Sequence, residues 1–330
     1  MTIALVLLFL ALFLVLTAEF INGWTDAPNA IATVVSTSTL EPRFAIPLAV
    51  ILNTLGAMSG TAVATTIGKG IVESSAVTVP AIAAAMISII LWGMFAARNG
   101  LPISKSHALI AGISGAGLAG GGFGALLWSG WEKVLFGMGL SLVIGFGLAF
   151  AVGTVIRAAA ATLSPRPARL GFDIAHICTA GTMAFAHGMN DGQKFMGIFA
   201  LVLLLGNQTT EFSIPFWVIL MCALTMGLGT SLGGWKIIAT VGKKMVSLTS
   251  WQGFAATGVA SATIIGASHF GIPLSTTHTI TTAIAGATSS HRIKDVRWGV
   301  LGRVVQGWIV TFPVCAFLAF LSALLANHLF

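Results

Sequence analysis

"LPISKSHALIAGISGAG", Leu101–Gly117, packs a proline, two serines, a lysine and a histidine into its first seven residues and then runs on without a charge. A hydroxyl-rich start just ahead of an apolar run is the pattern of a capped helix N-terminus. The chain repeats it: "IPLSTTHTITTAIAGAT", Ile272–Thr288, has the same proline, hydroxyls and histidine, and the two histidines, His107 and His278, lie 171 residues apart. A second pair alternates with the first. "NGWTDAPNAIAT", Asn22–Thr33, answers "HGMNDGQKFMGI", His187–Ile198, with Asp26 and Asp191 separated by 165 residues. Two matched motif pairs in the same order, each about half the chain apart, indicate an internal duplication.

The residues between these motifs place the duplicated unit in a membrane. Of 330 residues, 56% are hydrophobic and only 8% charged, and the mean hydropathy is +0.97. A soluble domain carries roughly a quarter charged residues. The apolar runs recur near the ~20 residues that a spanning helix needs. Thirty-nine glycines within such runs suit close helix packing and helix breaks, and the short alternating segments of a β-barrel are missing. The net charge of +7 comes from short loops between apolar runs rather than one basic face, which argues against nucleic acid as a partner and for lipid. Cys178, Cys222 and Cys315 have neither metal-ligand spacing nor an even count, so they are read as buried thiols. The opening "MTIALVLLFLALFLVL" lacks a basic leader and a clear cleavage site, and is read as the first membrane helix.

Loop charge orients the halves. Arg157, Arg166 and Arg169, then Lys236, Lys243 and Lys244, then Arg292, Lys294, Arg297 and Arg303 are cytoplasmic by the positive-inside rule. The segment from Trp251 to Ser290 therefore leaves and returns between two basic loops, as two crossings or a re-entrant hairpin with "PLSTTH" at its turn. Its counterpart, Ala76 to Gly120, has nearly balanced flanks (Lys69 with Glu73, Glu132 with Lys133), consistent with entry from outside. Each half then reads as a long interrupted helix, a plain span, a hairpin and a closing span: Ile3–Thr39, Phe44–Ile67, Ala76–Gly120 and Val134–Arg157, then Phe172–Leu205, Ile214–Trp235, Trp251–Ser290 and Val304–Leu324. The expected fold is an all-α integral membrane protein of two inverted-topology repeats, residues 1–165 and 166–330, with broken helices and paired re-entrant hairpins. Both termini come out external. Inverted repeats with breaks at matching places are the architecture of secondary transporters, which bind substrate near the midplane.

The motifs supply opposite polarities. An ionised aspartate at the bilayer centre costs about 2.5–3.5 kcal/mol on insertion scales, so Asp26 and Asp191 need compensation. A single acidic residue is often just a helix end reaching water; two at matching repeat positions point to a shared cation or proton site, with Na⁺ as a fitting hard cation. The hairpin starts offer the converse, free N–H groups, a partial positive charge and hydroxyls. Taken singly each is more often an ordinary cap. Facing each other, Ser104 and Ser106 with Ser275, Thr276 and Thr277 would surround a tetrahedral oxyanion. Lys105, inside the first anion loop, either strengthens oxyanion binding or takes the place of a coupled ion. Lys194 is read as a partner of Asp191. His107 and His278 are read as hydrogen-bonding to the hairpin backbone, and His187 stays open. No nucleophile with a matched base and no nucleotide-binding glycine motif occurs, so no enzymatic activity and no cofactor is expected.

"NGWTDAPNA", "AHGMNDGQK", "LPISKSHALI" and "GIPLSTTHTI", in this order, resemble the inorganic phosphate transporter (PiT) family, closest to its bacterial branch, over nearly the full length. The resemblance implies a phosphate symporter of the bacterial inner (cell) membrane, driven by protons or sodium. On these positions it makes Asp26, Asn29, Asn190 and Asp191 coupling-ion ligands, with Asp26 and Asp191 holding the metal if the ion is sodium. It adds Asn190 and Gln193 to the substrate ligands Ser104, Lys105, Ser106, Ser275, Thr276 and Thr277. Three positions depart from the family pattern: Thr25 precedes Asp26 where sodium-coupled members have Asn, Met189 replaces a small residue, and Lys105 replaces a small hydroxyl residue. The family has a sulfate-transporting branch, so inorganic phosphate or sulfate is the expected substrate, with a neutral metal-phosphate complex also open. An anion channel is the competing class, disfavoured by the intramembrane aspartates. A homodimer is compatible with this reading.

Overall fold

The computed structural model describes residues 2–160 and 164–329. Each half contains the same succession of elements. The first has a long helix α1 (Ile3–Ser36), a bent pair α2 (Pro42–Ala57) and α3 (Ala62–Gly70), a hairpin α4 (Val79–Arg98) and α5 (Lys105–Gly121), and a closing helix α6 (Trp128–Ala160). The second has α7 (Pro165–His187), which passes through a π turn (Gly188–Gly192) into α8 (Gln193–Leu205), then a bent pair α9 (Phe216–Thr230) and α10 (Trp235–Ala239), a hairpin α11 (Ser250–His269) and α12 (Thr276–Ser289), and a closing helix α13 (Trp298–Leu329). Among the described residues no strand forms, and five helices are long and apolar enough to cross a membrane, seven if each bent pair is one span.

The breaks fall where the sequence reading did not put them. α1 runs without interruption through Asp26 and Pro28, and the Asp191 motif is a π turn inside a continuing helix. The segments expected to be plain spans are the bent ones, by 65° between α2 and α3 and by 60° at the end of α9. Gly233 and Gly234 supply the second bend with positive φ values of 81° and 55°, a conformation that costs any other residue a Cβ clash. Within the unbroken α1, Asp26 and Asn29 find partners on α12, whereas Thr25 bonds within the helix.

Both hairpins return to the side from which they come. The chain entering the first pairs with the chain leaving it at an antiparallel bridge, Val72 to Leu126, and the second closes likewise at Val246 to Val296. At the tips, Gly100 (φ 64°) and Gly271 (φ 67°) make the turn. Caps then restart the helices: Ser104 Oγ accepts the His107 N–H, and Ser275 Oγ the His278 N–H, both at 3.2 Å. Each inner hairpin helix packs on the closing helix of the other half, α5 on α13 and α12 on α6. A Cβ at Gly115 would overlap the Ala316 carbonyl, and one at Gly286 the Phe146 carbonyl, so backbone lies against backbone at both crossings.

Around an apolar core the outer surface is apolar as well. Phe9 and Phe13 of α1, Phe136 and Val143 of α6, Leu224 and Leu228 of α9 and Phe317 and Leu321 of α13 are exposed, which suits contact with lipid. Polar side chains such as Asp26, Asn29, Asp191 and Lys194 are buried in the middle. Cys222 and Cys315 are buried as expected, whereas Cys178 is exposed.

Candidate functional site

The hairpin tips meet. Ser275 Oγ donates to Ser104 Oγ at 2.8 Å, so two caps 171 residues apart in sequence touch. The backbone N–H groups of Lys105 and Ser106, and of Thr276 and Thr277, form the first turns of α5 and α12. They have no partner among the described residues, because the first turn of a helix has no carbonyl behind it. Four unpaired donors and two hydroxyl-rich turns thus belong to two tips in contact, and none of Ser104, Ser106, Ser275, Thr276 and Thr277 is more than 4% exposed.

The aspartates come in from the long helices. Oxygens of Asp26 and Asp191 and a ring nitrogen of His187 all lie within 4.8 Å of one another. Asp191 Oδ2 accepts the Thr276 hydroxyl at 2.8 Å, and Asp26 Oδ2 accepts the Thr277 hydroxyl at 3.4 Å. Asn29 Nδ2 reaches Thr277 Oγ1 at 3.1 Å and Thr276 Oγ1 at 3.4 Å. Thr25 Oγ1 binds Asp26 Oδ1 at 3.2 Å and Ile21 O at 2.8 Å. Carboxylate, amide and hydroxyl oxygens from both halves are the donor set a hard cation such as Na⁺ takes.

Lys194 joins the two systems. Its Nζ donates to Asp191 Oδ1 and Ser106 Oγ at 2.5 Å and to Leu274 O at 2.6 Å, which ties the π turn to both hairpins. The Ser106 hydroxyl also reaches Leu274 O at 3.0 Å. Lys105 behaves otherwise. It is buried beside Gly93 of α4 and makes no hydrogen bond or ion pair among the described residues.

The remaining expected ligands are engaged at the margins. Gln193 Oε1 accepts the Val63 N–H at 3.0 Å, at the start of α3. Asn190 Nδ2 donates to Ser268 Oγ at 2.7 Å and Ile272 O at 3.4 Å, behind the second tip, while its Oδ1 has no partner. The histidines differ from expectation. The His107 and His278 rings pack edge to face at 4.4 Å, His278 lies 3.8 Å from the Trp308 ring, and neither ring nitrogen of His278 has a partner. His187 Nδ1 pairs with Asn53 Oδ1 at 2.9 Å, and its Nε2 approaches Asp191 Oδ2 at 3.3 Å without the alignment of a hydrogen bond.

Two further buried residues were not among the expected site residues. Glu19 and Asn22 are each 0% exposed. The signal was present as a stripe: Glu19, Asn22, Asp26, Asn29 and Thr33 follow each other by three or four residues, which puts them on one face of α1.

Comparison with known proteins gives the family and the fold. A profile described as the phosphate transporter family matches residues 22–167 and 158–319. A Bacillus subtilis protein described as a "Probable low-affinity inorganic phosphate transporter" is 40% identical over the whole of both chains. A Rhizobium meliloti protein with the same description is 38% identical over 94% of this chain and 93% of its own. Among solved structures, "The sodium-dependent phosphate transporter" superposes with a TM-score of 0.88 over 98% of this chain and 100% of its own, at 24% identity, which makes it a match of fold.

Proposed function

This chain belongs to the phosphate transporter family, and from that membership we propose that it is a secondary active symporter of inorganic phosphate. Its driving ion is H⁺ or Na⁺, and it works by alternating access in a bacterial cell membrane. The observation that carries the reading is the 2.8 Å contact between Ser104 and Ser275, beside a cluster of Asp26, Asp191 and His187. Two helix N-termini and five hydroxyls suit a tetrahedral oxyanion. The two carboxylates suit the cation that travels with it.

The closed centre is a set of contacts that phosphate would replace. The serine–serine bond parts, and the first-turn N–H groups and hydroxyls turn to phosphate oxygens. Lys194 and Lys105 then face the anion with their ammonium groups, while Asp26, Asn29, Asn190 and Asp191 hold the coupling ion. Coupling follows from voltage: moving one charge against 100 mV costs about 2.3 kcal/mol, and a dianion pays that twice on entering a negative interior. Cations travelling with the anion remove this opposition.

Residues 1–165 and 166–330 act as two repeats of opposite orientation with external termini. What supports this is the matching order of elements, the tip-to-tip contact, and the loop charges: Lys243, Lys244, Arg292 and Lys294 flank the second hairpin, whereas Lys69 is balanced by Glu73 at the first. Each hairpin, seated on the other half's closing helix, carries its share of the site when one bundle rocks against the other.

The test is uptake of labelled phosphate by proteoliposomes, with pH and sodium gradients imposed separately. Accumulation against a phosphate gradient under one of them is the expected result. Uptake indifferent to both would overturn symport in favour of a channel. Sulfate uptake that phosphate does not compete away would overturn the substrate.

A further inference from the structure

The charges at the centre do not cancel, and the excess lies on a residue outside the site described above. Asp191 is matched by Lys194, three residues on. Asn29 holds the corresponding place after Asp26, and the second buried lysine comes from the first hairpin instead, where Lys105 stands at the place of Thr276 in the second. Two aspartates thus face two lysines drawn from non-equivalent positions. Glu19 is a third carboxylate. Among the described residues no lysine, arginine or histidine lies within ion-pair distance of it.

Its bonding is deficient in a particular way. Glu19 Oε2 accepts from Asn22 Nδ2 at 3.4 Å, a long bond, and Glu19 Oε1 and Asn22 Oδ1 have no partner. A carboxylate this deeply buried needs a positive charge or a proton. A proton fits the geometry. The oxygen and nitrogen of an amide are nearly the same size. Turned over, Asn22 presents Oδ1 to accept from the Glu19 hydroxyl; as it stands, it presents Nδ2 to donate to the carboxylate. One neighbour therefore bonds Glu19 in either protonation state.

We propose that the Glu19–Asn22 pair binds a coupling proton, at a site separate from the Asp26–Asp191 centre. This rests on the symport reading above. The carboxylate takes the proton from the outer solution and becomes a carboxylic acid, then returns it to the inner solution, so that one positive charge crosses with the anion. The charged and titratable groups facing Glu19 are Asp26 along α1, Asp191 and Lys194 from the π turn and α8, and Cys222 from α9. They supply the coupling. When phosphate draws the Lys194 ammonium toward itself, the negative charge of Asp191 is less shielded at Glu19, which favours the proton there; by reciprocity a proton on Glu19 favours phosphate.

The experiment uses the full chain in proteoliposomes, with the membrane potential clamped and a pH-sensitive dye in the lumen. With a pH step of one unit, one coupled proton supports about tenfold accumulation of phosphate. Glu19→Gln, neutral in every state, is expected to lose that factor and the accompanying lumen acidification while still exchanging labelled for unlabelled phosphate. Asn22→Leu, which removes the two-way partner, is expected to weaken pH-driven accumulation in the same direction. Full pH-driven accumulation by Glu19→Gln would overturn the assignment, as would loss of exchange together with accumulation in a variant that unfolds at the wild-type temperature. Should Glu19→Gln not fold, undiminished proton influx in Asn22→Leu would overturn it. A wild-type protein driven by sodium and blind to pH would remove the proton from Glu19 and leave symport standing. One blind to both gradients would remove symport itself.

Discussion

Lys194 has three N–H donors, and the closed centre uses all of them, on Asp191, Ser106 and Leu274. Removing the carboxylate leaves a buried ammonium short of its counter-charge, a change that costs about 3–5 kcal/mol where one partner of a buried pair is lost. Asp191→Asn is therefore expected to abolish gradient-driven phosphate uptake and to lower the unfolding temperature in detergent. Asp191→Asn combined with Lys194→Met should recover stability without recovering transport. Normal uptake by Asp191→Asn would remove this residue from the coupling site. At this scale the sequence was informative where a residue type is rare in lipid: Asp26, Asp191 and Lys194 stood out by charge alone. Glu19 carries the same charge but lay inside the first apolar run, and only its three- and four-residue spacing to Asn22 and Asp26 marks it. The idle nitrogens of His278 had no signal at all, because its neighbours His107 and Trp308 come from other elements.

Helices and hairpins were legible in number and order, and misread in where they bend. Asn, Gly and Pro around Asp26 look like a helix break, yet Asn29 and Thr25 bond to neighbours and α1 keeps its backbone intact. The true bends sit at "SGT" and "LGGW", whose glycines are easily taken for packing glycines in a membrane chain. They have a consequence for the tips. Thr66 on α3 donates to Gly271 O, and Thr240, just after α10, donates to Gly100 O, both at 2.8 Å. Each bent segment so holds the hairpin tip of the other half. A hydrogen bond of this kind contributes about 1 kcal/mol. Thr240→Val should speed hydrogen exchange of amides at Asn99–Ser104 and leave Phe270–Ser275 unchanged, and Thr66→Val should do the reverse. Equal changes at both tips in either variant would mean that the threonines stabilise the bundle generally and do not hold a particular hairpin.

For the molecule as a whole, the centre is closed and the side chains at the hairpin tips are buried, which on the proposed alternating-access mechanism makes this structure one member of a cycle. The proposed anion site between the caps requires that the tips separate, because Ser104 and Ser275 touch and the side chains around them are buried. The duplication predicted that these serines face each other, since motifs at matching places would converge on the axis between the repeats if the two are opposed. No pattern within one chain reports how far that contact opens. A covalent tie measures it. Ser104→Cys with Ser275→Cys, in a chain whose three native cysteines are replaced so that the exposed Cys178 does not react, is expected to cross-link under mild oxidant and stop phosphate uptake. Reduction should restore it. Saturating phosphate should slow the cross-link, because an anion between the tips holds the sulfurs apart. A cross-linked protein that transports at the untreated rate would show that the tips need not part, and the oxyanion path would then lie elsewhere than between the two caps.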